Sequence, residues 1–377
     1  MAVKIASLSV SRSDFGRMSM LYKELEHSNE FSLHLAVGAG HHNNDLGYSL
    51  AEVEDSGISL DYVISNKDGN EGVQAANVLA QTHEWLQRLD PSALLIVGDR
   101  FEMLAGAQAA TLLNVPIIHV GGGHLTIGAI DDKIRHALTK LSSLHLVASK
   151  KCGERVKSLR ENQNSIFITG APEIDAILQT KKKSRRDFCN EVKLDQSQHF
   201  ILVTFHPETS KNLIENQRFA SEVERTLMEI DQQILITAPS ADPGREPFLQ
   251  LCRAVASKRH GVSFIPTLGF ENFISAMAHA QAMLGNSSAG IIESATFGLP
   301  VVNVGDRQAL RDRAKNVLDC QFNCKEIQKT LLQATSEEFC LACKMVKNPY
   351  GNGNFVKKTM QALRQTTWPI EIVKKWR

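Results

Sequence analysis

The chain has 377 residues, which is enough for two domains with substantial cores. Apolar residues make up 43% of the sequence and charged residues 22%, the ordinary composition of a soluble globular enzyme. The formal net charge of +1 gives no electrostatic reason to expect nucleic acid or a membrane as partner, and no apolar run approaches the roughly 20 residues of a membrane span.

Apolar segments with strand character alternate with amphipathic helical segments, which is the pattern of parallel βαβ units. In the first half of the chain, the predicted strands are 4–10, 31–37, 62–64, 93–97, 115–120, 144–148 and 166–169. The predicted helices between them are 17–26, 46–53, 72–89, 102–113 and 131–141. This alternation predicts a doubly wound sheet.

A basic polar run at 180–187, TKKKSRRD, is interpreted as a solvated linker or helix face. After it the alternation resumes, with predicted strands at 200–205, 234–237, 262–265, 282–284, 300–304 and 317–318. A helical tail follows, with a break at Trp368-Pro369 and a last predicted helix at 371–376.

The sequence therefore predicts an α/β protein of two Rossmann-like doubly wound domains facing across a cleft. We expect an N-terminal domain at 1–180 that carries acid/base residues and a C-terminal domain at 195–353 that binds the nucleotide. The terminal helices at 354–377 are expected to pack back on the N-terminal domain.

The cysteines indicate a reducing compartment. Seven of them are scattered along the chain, which favours reduced thiols over a disulfide framework. The first residues, MAVKIASLSVSRSDFG, predict a short strand rather than a signal peptide. We therefore expect a cytoplasmic protein. Cys340 and Cys343 have CxxC spacing, but no second Cys or His pair follows, so we interpret them as part of a helix.

The stretch from Met283 to Gln308 carries the strongest binding signal. It reads strand, polar turn, helix, turn and strand, with Ser287 and Ser288 where a helix over 289–297 should begin. Hydroxyls at that place cap backbone N–H groups, and the helix end favours anions. Glu293 can accept both hydroxyls of a ribose, and Arg307 adds a cation after the next strand. An ordinary capped helix explains the serines alone, but the combination favours a nucleotide-diphosphate site.

Two acidic residues in the first half are candidates for proton transfer. Asp99 follows the strand at 93–97, and Asp131 begins the helix at 131–141. Two carboxylates in one cleft suit proton abstraction and return, although each Asp taken singly can be a helix cap. The chain has no GxGxxG with a following acidic residue and no Walker lysine, so a nicotinamide cofactor is not expected.

The motifs of the chain, taken in order, resemble those of hydrolysing UDP-N-acetylglucosamine 2-epimerases of the bacterial sialic-acid pathway type. The resemblance rests on SRSDFG (11–16), GDRFEML (98–104), GAIDDKIRHALTKLS (128–142), TFHPET (204–209), GNSSAGIIE (285–293), NVGDRQ (303–308) and NPYGNG (348–353). It implies a GT-B-like fold, a UDP-sugar substrate, no cofactor or metal, and a homodimer or homotetramer. The implied reaction expels UDP as the C2 proton leaves, and hydration of the glycal gives ManNAc.

The resemblance also implies roles for particular residues. Asp99 and Asp131 become the acid/base candidates. The residues on the substrate and UDP side are Arg12, Arg100, His206, Asn286, Ser287, Ser288, Glu293 and Arg307. One position departs from the family, because HVGGGH (119–124) stands where relatives read HIHGGE or HIEGGE, so that Gly121 replaces a His or Glu assigned to catalysis. Either His124 takes over the proton transfer, or the enzyme is slow, or its substrate differs.

Alternatives remain open from the sequence. The same chemistry on UDP-2,4-diacetamido-trideoxy-glucose, as in legionaminic-acid pathways, is the second hypothesis. A UDP-sugar-binding homologue that has lost turnover through Gly121 is the third. A glycosyltransferase on the same fold is a distant fourth, because the motifs around Asp99 and Asp131 favour the epimerase.

Overall fold

The computed structural model describes residues 2–42, 50–126, 130–209, 211–240, 242 and 244–372. The chain divides into two compact units. The first comprises Met1–His124, Ile130–Ala176 and Tyr350–Arg377, and the second comprises Leu125–Ala129 and Ile177–Pro349. Among the described residues, no helix is both long enough and apolar enough to cross a membrane.

The first unit is built on a seven-stranded parallel sheet in the order β3-β2-β1-β4-β5-β6-β7. Its strands are β1 (Val3–Ser9), β2 (Phe31–Val37), β3 (Leu60–Val63), β4 (Ala93–Val97), β5 (Ile117–Val120), β6 (Leu144–Val147) and β7 (Ile166–Ile168). β4 is buried along its whole length, as expected for a central parallel strand covered by helices on both faces.

Helices connect these strands in the right order for βαβ units. They are α1 (Arg12–Glu26), α2 (Leu50–Asp55), α3 (Glu71–Leu89), α4 (Phe101–Leu112), α5 (Ile130–Leu141), α6 (Lys150–Ser158) and α7 (Pro172–Gln179). α1 begins at Arg12 rather than at the predicted residue 17, because the Ser11 hydroxyl accepts from the Asp14 amide (3.3 Å) and caps the helix. Of the predicted helix at 46–53, residues 46–49 lie outside the described part of the chain.

The second unit has a six-stranded parallel sheet in the order β10-β9-β8-β11-β12-β13. Its strands are β8 (Phe200–Thr204), β9 (Gln233–Ile236), β10 (Val262–Phe264), β11 (Ala282–Gly285), β12 (Val301–Val304) and β13 (Val317–Cys320). Its helices are α8 (Arg185–Glu191), α9 (Leu213–Glu229), α10 (Glu246–Lys258), α11 (Gly269–His279), α12 (Ala289–Ile292), α13 (Cys324–Ala334) and α14 (Glu337–Lys344). Both CxxC cysteines lie on α14, as predicted.

Two stretches of the second half differ from the sequence prediction. The helix expected over 289–297 is broken into α12 and a short 3-10 helix, Ser294–Phe297, and the Ser294 hydroxyl donates to the Gly290 carbonyl (2.6 Å) at the junction. The basic run is only partly solvated, because the Arg185 guanidinium donates to the backbone carbonyls of Gln196, Gln198 and His279. Arg185 therefore ties its helix to neighbouring loops.

The last helix, α15 (Phe355–Gln365), belongs to the core of the first unit. Its side chains Phe355, Met360 and Leu363 are buried there. The Asp175 carboxylate accepts from two amides at the start of α15, at 2.9 and 3.0 Å. This bond pair anchors the helix end. Of the predicted helix at 371–376, residues 371 and 372 are not helical and the others lie outside the described residues.

Candidate functional site

In the first unit, the strand order reverses between β1 and β4. Ligands of doubly wound sheets bind beyond the carboxyl ends of the strands at such a switch point. β1 leads directly to Arg12, an exposed residue at the start of α1, and β4 leads to Asp99 and Arg100. Three of the predicted site residues therefore follow the two strands that flank the switch point.

Asp99 forms an ion pair with Arg135 of α5, a residue to which the sequence analysis gave no role. The Arg135 side chain is 5% exposed, whereas that of Asp99 is 26% exposed and remains open to a ligand. The same guanidinium donates to the His124 carbonyl (2.9 Å) and lies 3.4 Å from an Asp132 carboxylate oxygen. The sequence signal that could have pointed to Arg135 was its position four residues after Asp131, because this spacing puts both side chains on one face of a helix.

Arg100 is held by a buried carboxylate. Its Nε and Nη2 donate to the two oxygens of Glu102 at 3.2 and 2.9 Å, and Glu102 is 4% exposed. Burial acts to lower the pKa of Arg100, but the bond to Glu102 and the charges of Glu102, Asp14 and Asp131 outweigh it and raise the pKa. Arg100 thus stays charged. Asp14, which the sequence analysis missed, is buried here, and burial raises its pKa.

A cavity of about 440 Å³ opens beside Arg100 and Glu102. Its wall is completed by Gly40, residues 66–71, Gln74 and Phe101. Amide and charged side chains dominate this lining. Such groups form hydrogen bonds with hydroxyl-rich ligands.

The β5 strand end is fixed by His119, which is fully buried. Its Nε2 donates to the Gly98 carbonyl (2.9 Å), which joins the ends of β4 and β5. Burial lowers the pKa of His119 to about 4, so the ring is neutral at physiological pH. His119 therefore holds the backbone next to Asp99 and does not supply a charge.

Gly121 and His124 follow in the same loop. Gly121 has φ of +88°, and the nearest atom to a Cβ built there is the Gly98 amide nitrogen at 3.9 Å. A side chain thus has room, but the left-handed backbone costs about 1–2 kcal/mol for a residue other than glycine. The half-buried His124 ring stacks on the Tyr350 ring, with centroids 5.6 Å apart and planes at 16°. The catalytic role of His124 stays a prediction.

In the second unit, the strand order reverses between β8 and β11, where Thr204 pairs with Gly285. A Cβ at Gly285 would lie 1.9 Å from the Thr204 carbonyl oxygen, so only glycine fits. Next to it, Asn286 is fully buried, and its side chain bonds both the amide and the carbonyl of His206 (2.7 and 2.9 Å). The Asn286 side chain therefore joins the two strand-end loops, and its contact with UDP stays a prediction.

His206 is neutral in this environment. Its Nδ1 accepts from the Ser240 amide (2.9 Å), which leaves Nε2 to carry the ring hydrogen. Burial and then the Arg307 charge lower the pKa of His206 to about 4. At a phosphate, His206 would therefore act as a neutral hydrogen-bond donor rather than as a cation.

Arg307 lies in a turn that Glu208 organises. An oxygen of the Glu208 carboxylate, which is 4% exposed, accepts from the amides of Asp306 (2.8 Å) and Arg307 (3.2 Å). The Arg307 guanidinium donates to the Asn286 carbonyl (3.2 Å) and lies 3.7 Å from Asp242. This geometry brings Arg307 to the turn that precedes α12. Glu208 was not among the predicted site residues, although it lies within the TFHPET motif.

Ser287, Ser288 and Glu293 surround the short helix α12. Ser288 occupies the N-cap position of α12, but its hydroxyl forms no capping hydrogen bond there. The capping by Ser288 that the sequence led us to expect is therefore not observed. The Ser287 hydroxyl lies 3.4 Å from the Ala289 amide. Glu293 follows α12 immediately and is half-buried. Both serines thus lie just beyond the carboxyl end of β11, where Arg307 bonds the Asn286 carbonyl, and Glu293 follows one short helix later.

The two neutral histidines predict acid sensitivity. Since the pKa values of His119 and His206 are about 4 in the folded chain and about 6.5 in an unfolded one, the unfolded state binds more protons between these values. The free energy of unfolding should be highest above about pH 6.5 and should fall as the pH approaches 4. The decrease should be on the order of 3 kcal/mol per histidine. Urea unfolding of the wild type and of His119→Gln, each measured at pH 7 and at pH 5, isolates the contribution of His119 to this pH dependence. Equal pH dependence in both proteins would contradict it.

Comparison with known sequences identifies the family. Residues 23–364 match the sequence model of a protein family described as UDP-N-acetylglucosamine 2-epimerase. UDP-N,N'-diacetylbacillosamine 2-epimerase (hydrolyzing) from Legionella pneumophila is 31% identical over 378 residues, covering 99% of this chain and 98% of that protein. UDP-N-acetylglucosamine 2-epimerase from Neisseria meningitidis is 32% identical over 337 residues, covering 88% of each chain.

A solved structure supports the fold. The crystal structure of UDP-GlcNAc 2-epimerase from Neisseria meningitidis bound to UDP-GlcNAc has a TM-score of 0.83 to this chain, at 18% identity. The match covers 97% of this chain and 100% of that one. It confirms the predicted GT-B-like class of two Rossmann-like domains. The sequence matches show that the chain belongs to the UDP-N-acetylglucosamine 2-epimerase family.

Proposed function

We propose that the protein is a hydrolysing UDP-N-acetylglucosamine 2-epimerase, which converts UDP-GlcNAc and water to ManNAc and UDP in the cytoplasm for sialic-acid-type sugar synthesis. The observation that supports the proposal is the ion pair of Asp99 with Arg135 at the carboxyl edge of the first sheet, with Asp131 at the start of the helix that carries Arg135. Arg135 contacts Asp99, and the charge of Asp131 acts on Arg100. Carboxylates set among fixed charges are suited to proton transfer.

The proposed first step is an elimination. A carboxylate takes the C2 proton, the C2–H electrons form a C1=C2 double bond, and the C1–O bond breaks with its electrons going to UDP. In the second step, C2 receives a proton on the opposite face while water adds to C1 and loses a proton. This sequence needs two acid/base groups, for which we assign Asp99 and Asp131, with His124 as the third candidate. No net oxidation occurs, so the reaction needs no redox cofactor.

We assign UDP to the second unit. Arg307 and the neutral Nε2–H of His206 would stabilise the charge that develops on the diphosphate, and Ser287 and Ser288 would donate to its oxygens. Glu293 would accept the ribose hydroxyls. Arg12 remains the first unit's candidate for the diphosphate side, and Arg100 remains a candidate for binding the UDP-sugar.

A second candidate substrate has its own support. The Legionella pneumophila relative is named for a diacetylbacillosamine substrate and matches 99% of the chain. Incubation with UDP-GlcNAc and, separately, with UDP-2,4-diacetamido-trideoxy-glucose, followed by NMR, separates the candidates. ManNAc supports the first proposal, the trideoxy product alone supports the second, and UDP-sugar binding without product supports a homologue that has lost turnover.

Glu293→Ala should weaken UDP binding by on the order of 1–3 kcal/mol, because a charged hydrogen-bond acceptor for the ribose is lost. The fold should persist, since Glu293 is not part of the buried core. Titration calorimetry with UDP measures the effect, and Glu293→Gln should recover part of the affinity. An unchanged dissociation constant in the alanine variant would remove Glu293 from the site.

A further inference from the structure

We propose that Arg135 is a positioning residue that holds Asp99 aligned and ionised for proton transfer. The inference rests on the proposed function, because it concerns how one of the two assigned carboxylates is prepared. The Asp99–Arg135 ion pair is the observation behind it.

Arg135 is nearly buried and has several hydrogen-bond acceptors around it, unlike an arginine on the protein surface. Its nearly buried guanidinium meets the Asp99 carboxylate, the His124 carbonyl and, more distantly, the Asp132 carboxylate. A buried guanidinium is costly to keep unless its donors are satisfied, and its planar fork fixes the direction of each acceptor. The Asp99 side chain is consequently held in one orientation while part of it stays exposed.

The backbone beneath Asp99 is fixed by His119, whose ring lies against α5. The Thr139 hydroxyl donates to the Arg135 carbonyl (3.0 Å) and lies 3.3 Å from Nδ1 of His119. The other ring nitrogen of His119 donates to the carbonyl of Gly98, the residue before Asp99. Arg135 of α5 therefore fixes the side chain, and His119 of β5 the backbone, at this strand end.

The pair also sets the charge of the carboxyl. An adjacent guanidinium favours the ionised form of an acid, and an ionised Asp99 is ready to accept a proton. Among the described residues, the ionisable groups on the neighbouring elements include Asp131, Asp132 and His136 of α5, His119 of β5, and Arg100 and Glu102 after β4. Of these, Asp132 competes for Arg135 at a longer distance of 3.4 Å, so the main bond goes to Asp99.

The experiment compares Arg135→Met and Arg135→Lys with a matched control, Arg155→Met. Arg155 of α6 donates to the Gly123 carbonyl (3.2 Å), just as Arg135 donates to the next carbonyl in the same loop, but it is not part of the pair with Asp99. For each variant, kcat, KM, the pH profile of kcat/KM, UDP affinity and thermal unfolding are measured. Asp99→Asn and the Asp99→Asn/Arg135→Met double variant complete a mutant cycle.

We expect Arg135→Met to lower kcat by about 10²–10³-fold, within the usual worth of a positioned acid or base, with UDP affinity changed less than about threefold. The acidic limb of the pH profile should move up by about one to three units, because the neighbouring cation is gone. Arg135→Lys should restore part of kcat, and Arg155→Met should keep activity within about threefold. In the Asp99→Asn background, Arg135→Met should cost less than about threefold, since its effect runs through Asp99.

An equal loss from Arg135→Met in both backgrounds, or an unshifted pH profile, would overturn the inference and show a structural role. If Arg135→Met does not fold, Arg135→Lys in the wild-type and Asp99→Asn backgrounds decides: a loss of kcat confined to the wild-type background supports the inference, and an equal loss in both backgrounds overturns it. A wild type that converts neither UDP-sugar refutes the proposed function, and the inference with it. Activity in the wild type with Arg135→Met no worse than Arg155→Met refutes the inference alone.

Discussion

Asp131→Asn is expected to lower kcat by about 10²–10⁴-fold, the usual worth of a positioned acid or base. Asp131 lies in the first turn of α5, and its charge acts on the guanidinium of Arg100. Asparagine keeps the size of the side chain but can neither accept nor return a proton at neutral pH. Steady-state turnover of UDP-GlcNAc measures the loss, and UDP binding by calorimetry should be unchanged.

The neighbouring residue offers a matched control for this experiment. Asp132 lies in the same turn of α5, and its carboxylate oxygens lie 3.4 Å from Arg135 and 3.4 Å from His136. Asp132→Asn should therefore cost much less than Asp131→Asn. Turnover of Asp131→Asn within tenfold of the wild type would remove this residue from the proton chemistry.

His124→Ala is expected to reduce turnover by a similar factor of about 10²–10⁴, because the family resemblance implies an acid or base at position 121, where this chain has glycine. His124 is the nearest substitute in the loop, and an imidazole ring can both accept and donate a proton. UDP binding should persist, since we assign UDP to the second unit.

The stacking of His124 on Tyr350 gives a competing explanation in which the ring only packs. His124→Phe separates the two, because phenylalanine retains the aromatic contact but transfers no proton. Proton transfer predicts that His124→Phe is as inactive as His124→Ala. A phenylalanine variant with nearly normal turnover would assign His124 to packing and leave the proton transfer to Asp99 and Asp131.

The fold was predictable because its signals are local. Buried strands such as 93–97 read as apolar runs, and the helices between them have amphipathic spacing, so the βαβ alternation was visible without any tertiary information. The errors arose at helix ends. There a single side-chain bond decides the boundary, as with Ser11 at the start of α1 and Ser294 after α12.

The candidate site was less accessible from the sequence. The loops that carry Asp99, His206 and Arg307 were predictable, because polar residues follow apolar strands and parallel strands end at one edge. The groups that hold them were not. Arg135 lies 36 residues beyond Asp99, and Glu208 bonds the Arg307 amide 99 positions away, so both pairings depend on the folded chain. Residue spacing in the sequence can indicate that two side chains interact only when both lie on the same helix.

The most direct test of the proposed mechanism is the reaction of UDP-GlcNAc with the wild-type protein in D₂O, followed by proton NMR. Elimination and rehydration exchange the C2 proton with solvent, because one group removes it and a different group returns another on the opposite face. The mechanism predicts ManNAc with deuterium at C2 together with free UDP. ManNAc that retains its C2 proton would contradict it, and so would free GlcNAc with unchanged configuration.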